Sequence, residues 1–373
     1  MRRTPATLGL LVFALAPLLA ACSGNGSDDV GEDGTGAVLA FGSGERFSIE
    51  AALAQIPAEV SQDDDPAFLQ ITVADILAGS ELAGTSRPTG STDVDEVADW
   101  LQPMLFGDAS PVFLPLPTEL VRDVTQIEEY RNELGFAISD VDASIEIAAG
   151  AASTVVLVGD INPNDATEIA PGITSFGEGD DFETNFDDRT AARSLGRPLR
   201  IAEIDDLVLT SRSTPTVSAW LDPTSARLSD DTTLSEMARV LDNTGVVGAA
   251  VFRFDFSSPP GSADDGTDPP ISTPFDTVAI GWGVDAGNAQ ITVVYATGSE
   301  EAASSAREEV ERAFSTDSPG AFGRPITEQL VVERVSADGT LVVATLGLRS
   351  DEVRPDVLIQ LMNTRAAPFV YGS

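Results

Sequence analysis

A chain of 373 residues with 60 Asp and Glu, 21 Arg, no Lys and no His carries a formal charge of −39. A Ser-His-Asp triad, a Schiff-base lysine, a P-loop lysine and a His-ligated zinc are therefore excluded. Carboxylate chemistry and cation binding by oxygen ligands remain open, whereas nucleic acid is an unfavourable partner for so acidic a surface.

The N-terminus predicts export and a lipid anchor. Arg2 and Arg3 precede an apolar run, residues 8–20, which is shorter than the roughly 20 residues of a membrane-spanning helix. The run ends in "LAAC", and its Cys22 is the only cysteine in the chain. This tetrapeptide resembles the lipobox of bacterial lipoproteins. The resemblance implies that a diacylglyceryl group is attached to the sulfur of Cys22. The alternative is an ordinary signal peptide with a chance cysteine.

That resemblance implies a signal peptide over residues 1–21 and places the mature protein on the outer side of the cytoplasmic membrane. Residues 22–40 are mostly Gly, Ser and acidic residues, a composition that predicts a flexible tether. Removing the signal also removes two arginines, so the mature surface is even more acidic. Anionic headgroups repel such a surface, which favours a covalent anchor over electrostatic membrane binding.

The first part of the body, residues 41–222, begins with a helix at "SIEAALAQIP" and a strand at "FLQITVADI". An insertion follows at 76–135, with an amphipathic helix at "DVDEVADWLQPMLF" and an extended, proline-rich "SPVFLPLP". The strands "VDASIEI" and "TVVLVGDI" come next, and the acidic residues of the former predict a solvent-facing polar side. A short helix is predicted near 164–170, then the hairpin "LRIAEID"/"LVLTSR" and a helix capped by Ser213.

The second part, residues 223–373, repeats this order of elements. A helix at "LSEMARVLDNTG" leads into the strand "VVGAAVFRFDF". The hairpin "TVAIGWGV"/"AQITVVYAT" precedes a helix over 300–314, and Gly281 and Gly283 are predicted to leave room for a neighbouring helix. The strands "LVVERVS" and "TLVVATLGL" precede the helix "DEVRPDVLIQLMN". We therefore expect an α+β fold of two duplicated halves, each an antiparallel sheet of about five strands with helices packed on one face. The two sheets can join edge to edge.

Two segments are candidate sites. The insertion offers apolar side chains as a partner-binding surface, and the alternative is a structural cap over the sheet; the candidates are Trp100, Leu101, Met104, Leu105 and Phe113. The acidic stretch 177–189 offers oxygen ligands for a calcium ion but lacks EF-hand spacing, and the alternative is a solvated loop; the candidates are Asp180, Asp181, Glu183 and Asp187. No catalytic residue and no cofactor is predicted.

The lipobox, the acidic tether, the absence of Lys and the Ala-, Asp- and Val-rich hairpins resemble those of uncharacterised surface lipoproteins of high-GC Gram-positive bacteria. That resemblance implies no particular activity. We predict a non-catalytic, membrane-anchored binding or scaffold protein with a protein or cationic partner. One alternative is a carrier of a lipid or other hydrophobic ligand, with a cavity between sheet and helices. Another is a carboxylate-dependent hydrolase.

Overall fold

The structure is a computed structural model that describes residues 47–61, 68–106, 110–122, 124–149, 152–257, 271–317 and 323–372. The described residues belong to one compact unit. Their α-helices are α1 (Ile49–Leu53), α2 (Ile76–Leu82), α3 (Val94–Phe106), α4 (Thr118–Val121), α5 (Ile127–Leu134), α6 (Thr214–Leu221), α7 (Thr232–Asn243), α8 (Glu300–Ser315), α9 (Ile326–Gln329) and α10 (Val357–Asn363). Their strands are β1 (Phe68–Asp75), β2 (Val141–Ala149), β3 (Ala152–Gly159), β4 (Thr167–Ala170), β5 (Ile173–Phe176), β6 (Leu199–Ile204), β7 (Leu207–Ser211), β8 (Val246–Phe254), β9 (Phe275–Asp285), β10 (Asn288–Thr297), β11 (Leu330–Asp338) and β12 (Leu341–Leu348).

Within the described residues, twelve strands form a single sheet in the order β11-β12-β10-β9-β8-β1-β2-β3-β7-β6-β5-β4. All neighbouring strands are antiparallel. At the centre, β1 pairs with β8, from Phe68 opposite Phe254 to Ala74 opposite Gly248. The α+β prediction is confirmed, and the strands before and after α7 lie in one continuous sheet.

Local sequence explains most elements. The apolar alternation of β9 and β10 produces the predicted hairpin, and the Ser299 hydroxyl accepts the N–H of Ala302 to begin α8 as expected. The helix predicted near 164–170 is wrong, because Thr167–Ala170 is the edge strand β4. Its β-branched Thr167 and Ile169 favour extended backbone, and Gly172, with φ of 72°, turns the chain back into β5.

One side of the sheet, the front face, carries Ile71 and Val251 opposite each other, with Ala279 beside them. The helices α1, α6 and α7 cover this face and share one apolar core with strands from both sides of the β1–β8 pair. Gly281 lies under α7, where an added Cβ would be 2.7 Å from Leu241 Cδ2. Gly281 therefore makes room for a helix as predicted. The same prediction for Gly283 is wrong, because an added Cβ there would be 2.9 Å from the backbone oxygen of Gly245, just before β8.

The other side, the back face, is also covered, so the prediction of helices on one face is wrong. The helices α8 and α10 pack on the back of β9, β10 and β12, around Ile280, Val293 and Ala344. The helices α2, α3 and α5 pack on the back of β2, β3 and β7. The physical reason is that central strands such as β9 and β10 are apolar on both sides, and such strands require cover on both faces.

The helices α1 and α7, which precede the central strands β1 and β8, contact each other on the front face, where one carboxylate binds both. Asp242, in the last turn of α7, accepts hydrogen bonds from Ser48 Oγ (2.8 Å), Ile49 N (2.7 Å) and Glu50 N (3.2 Å) at the start of α1. A negative charge is unfavourable at the C-terminus of its own helix and favourable at the N-terminus of another. The Asp242 carboxylate therefore stabilises the N-terminus of α1 and does not stabilise α7, the helix to which it belongs.

We expect Asp242→Ala to lower the free energy of unfolding by about 2 kcal/mol, because three hydrogen bonds to a charged acceptor are lost. Asp242→Asn keeps one oxygen acceptor and is expected to cost less. The exposed Glu311→Ala on α8 is the matched control and should change stability by less than about 0.5 kcal/mol. Urea unfolding monitored by circular dichroism measures all three. An Asp242→Ala protein as stable as the control would contradict this role.

Candidate functional site

The residues of the predicted anchor, Cys22 and the tether 22–40, lie outside the described residues. Across the part of the chain that the structure describes, no helix is long and apolar enough to cross a membrane. The lipid anchor stays a prediction from the sequence. The candidate sites of the body, in contrast, can be located.

The apolar residues of the insertion do not form an exposed surface. Trp100 is 2% exposed, and its indole Nε1 donates to Ser80 Oγ at 2.9 Å. Leu101 and Met104 are buried in the same cluster, with Leu105 packed against it at partial burial. Trp100, Leu101 and Met104 therefore fasten α3 to the back face and are buried in the isolated chain, whereas Leu105 keeps part of its surface.

Phe113, the fifth candidate, belongs to a segment that runs along the back face, from the strands of the second part of the body to those of the first part. Its ring lies 5.0 Å from that of Trp282 on β9, in an edge-on arrangement. The next residue, Leu114, is fully buried near Gly248 of β8, where an added Cβ would be 3.1 Å from Leu114 Cδ2. Gly248 thus permits the close approach of the segment. These apolar side chains bind the back of β8 and β9 within the same chain.

The acidic stretch 177–189 is not gathered around one point. Asp181 accepts hydrogen bonds from Thr214 N (2.6 Å) and Arg200 Nε (3.0 Å), so its carboxylate caps α6 and neutralises a buried arginine. Glu183 accepts the N–H of Asp180 at 3.0 Å, and Asp187 is exposed. Among the described residues, no group of three or more potential ligands could hold a metal ion. The calcium candidates are not brought together.

A polar cluster that the sequence did not reveal lies on the back face beneath α4 and α5. Its centre is Glu146 of β2, 9% exposed, which the sequence pattern placed on a solvent-facing side. Glu146 Oε2 accepts from Thr118 N at 3.0 Å, and Oε1 accepts from Ser153 Oγ at 2.8 Å. Burial raises the pKa of the Glu146 carboxyl, and the bonds from Thr118 and Ser153 oppose that increase.

The cluster continues outward through Glu119. One oxygen of its carboxylate accepts from Arg122 at 2.9 Å, and the other lies 3.4 Å from a guanidinium nitrogen of Arg212. The Tyr130 hydroxyl donates to the backbone carbonyl of Glu119, and burial raises the pKa of that phenol. Between these groups and Ser153 is a cavity of about 30 Å³. It has room for about one water molecule but not for a sugar ring or an acyl chain.

A second, open groove of about 440 Å³ lies where β1 begins and β8 ends. Its floor contains Phe68, Phe252 and Phe254, and the rings of Phe68 and Phe254 stack at 5.9 Å. Asp255 and Arg365 stand on its rim with opposite charges. The charge of this rim therefore does not select one kind of partner.

Comparison of the chain with protein-family models, with curated proteins and with solved structures gave no match.

We expect Glu146→Gln to compare more favourably with the parent in stability at pH 7 than at pH 4.5, because an amide does not carry the cost of burying a charge. The amide keeps one of the two acceptor oxygens of Glu146, and the loss of the other is the same at both pH values. Since the folded-state pKa is raised, the stabilising contribution of protonated Glu146 is complete below about 4.5, its ordinary value, and is lost as pH rises through the folded-state pKa. The free energy of unfolding of the variant should therefore decrease relative to that of the parent as pH falls from 7 towards 4.5. Urea unfolding of both proteins across this range measures the difference between their free energies of unfolding. Groups that titrate in the same way in both proteins cancel in this difference.

The exposed Glu311→Gln is the control and should give a pH-independent difference close to zero. A Glu146→Gln protein whose difference from the parent does not vary between pH 4.5 and 7 would show that Glu146 stays ionised when folded.

Proposed function

We propose that this chain is a lipid-anchored scaffold or binding protein on the outer side of the cytoplasmic membrane, without catalytic activity. The observation that carries the proposal is a single sheet packed closely on both faces. Residues in the two apolar layers, such as Ile71 and Ile145 in front and Ile280 and Trp282 behind, are fully buried. Such packing gives a rigid body that a flexible tether can hold away from the bilayer.

The polar cluster around Glu146 supports the non-catalytic part of the proposal. Glu146 is its most buried carboxyl, and the adjoining cavity is the size of a water molecule. A hydrolase of the two-carboxylate kind needs both groups to face a bound substrate. The same packing gives no support to a hydrophobic-ligand carrier at this position, because an acyl chain has no space beside Glu146.

The charge of the chain supports a cationic or protein partner and disfavours nucleic acid. Acidic residues outnumber arginines 60 to 21, so the surface potential is strongly negative. Such a potential speeds the approach of cationic partners and slows that of polyanions.

We further propose that the body arose by duplication, with halves 41–222 and 223–373. Outward from the centre, β1-β2-β3-β7-β6 on one side correspond to β8-β9-β10-β12-β11 on the other. A helix precedes each central strand, and these two helices contact each other. Among the described elements, β4, β5 and α2 to α5 of the first half and α8 and α9 of the second have no counterparts. In addition, α6 lies in front whereas α10 lies behind.

Crystallographic superposition of the first half on the second tests the duplication. We expect the Cα atoms of the five matched strands to overlay in that order after rotation about an axis perpendicular to the sheet at the β1–β8 pair. Strands that overlay only in a different order would refute the duplication.

For the anchor, we expect Cys22→Ser to abolish lipidation and membrane retention, since a hydroxyl does not replace the thiol in thioether formation. Metabolic labelling with a fatty-acid probe and fractionation of cells measure both. Arg2→Gln is the control that keeps the thiol, and it should still be labelled. Labelled, membrane-bound Cys22→Ser protein would overturn the proposal of a lipid anchor at this residue.

A further inference from the structure

The arginines of this acidic chain are unevenly distributed. Residues 189–200, "RTAARSLGRPLR", contain four arginines and no acidic residue. Two of them are buried and form ion pairs within the fold. Arg193 is buried and pairs with Glu133 (2.7 Å) and Asp188 (2.6 Å), and Arg200 is buried and pairs with Asp181. Arg189, in contrast, is exposed and forms no ion pair within the described residues.

Arg189 lies on the wall of a groove of about 430 Å³ between α5 and residues 189–194. This volume is within the range of small-molecule sites. The groove is lined by Arg122, Gln126, Glu129, Tyr130, Arg189, Thr190, Ala191 and Ser194. We propose that the groove binds a small oxyanion, a phosphate or carboxylate group, through Arg122 and Arg189.

Both guanidinium groups are held in place before a ligand arrives. Arg122 donates to Ser194 Oγ at 2.8 Å and to Glu119 at 2.9 Å, and its side chain is still 46% exposed. The guanidinium carbon of Arg189 lies 4.2 Å from the centre of the Phe186 ring. Stacking on a ring uses the flat face of the guanidinium and leaves its N–H donors for an anion. Phe186 is 59% exposed, and this stacking contact accounts for an aromatic ring at the surface.

Two nearby carboxylates already pair with arginines, one of them with Arg122 itself. Glu119 is shared between Arg122 and Arg212, and Asp188 is bound to Arg193, whose hydrogen bond lowers the pKa of that carboxyl. Among the described residues, Glu129 is the one acidic side chain of the lining. Among the described residues, Arg122 shares its charge with Glu119, whereas Arg189 has no ion pair. Arg189 therefore supplies the local positive charge that can retain an oxyanion in a chain whose overall charge repels anions.

This site goes beyond the proposed scaffold function and does not depend on the lipid anchor.

The test uses the full chain, purified in detergent, and sodium phosphate or sodium acetate at constant ionic strength set with sodium chloride. Binding to the folded state raises the unfolding temperature in a saturable way. We expect a saturable rise with at least one probe, and the arm that saturates at lower concentration distinguishes a phosphate from a carboxylate ligand.

We expect Arg189→Gln to raise the half-saturating concentration at least tenfold, because the variant lacks the guanidinium that would bind the anion. The unfolding temperature of each protein in sodium chloride alone is its own baseline, since Arg189→Gln also removes the stacking contact with Phe186. Arg122→Gln should weaken binding similarly. Arg307→Gln on α8 is the control: the Arg307 side chain is about as exposed as that of Arg122, and its one ion pair among the described residues is with Glu308, so binding should be unchanged. A rise that does not saturate, or one that Arg189→Gln and Arg307→Gln alter equally, would overturn the proposal.

Discussion

The pairing of β1 with β8 is the interaction on which the rest of this structure depends. It joins segments that lie far apart in sequence, with Ile71 opposite Val251 and Val73 opposite Ala249. Without it, each central strand would present an unpaired edge, which is a template for aggregation. With it, the strands on both sides share one front core, and the helices α1 and α7 are brought side by side, where Asp242 can cap α1.

The insertion depends on the same pairing. Its segment around Phe113 and Leu114 packs over β8 and β9, so it reaches its binding surface only when the two parts of the sheet are joined. Because it covers the back of β2, it also removes Glu146 from water. The insertion thus connects the two parts of the body. In doing so it buries the Glu146 carboxyl group and raises the pKa of that group.

The absence of Lys shapes the polar contacts in the first part of the body. Each of the buried cations Arg193, Arg200 and Arg212 reaches two or more acceptors at once. The planar fork of a guanidinium suits such shared pairing better than an ammonium does. The arginines therefore order the acidic stretch 177–189 from beneath, while Arg122 and Arg189 remain accessible at its side.

The sequence by itself determined the hairpins, most helices and the order of elements, because these follow from local patterns: apolar alternation in β9 and β10, the cap at Ser299 and the positions of turns. It did not place the helix α10 behind the sheet and α6 in front, since an apolar helix stripe indicates burial but not the face that provides it. It also misassigned Glu146 and Trp100. The insertion covers the back face, and this packing buries both the polar side of β2, with Glu146, and the apolar side of α3, with Trp100. Only the tertiary structure decided that, because burial depends on contacts between residues far apart in the chain, and no local pattern encodes them.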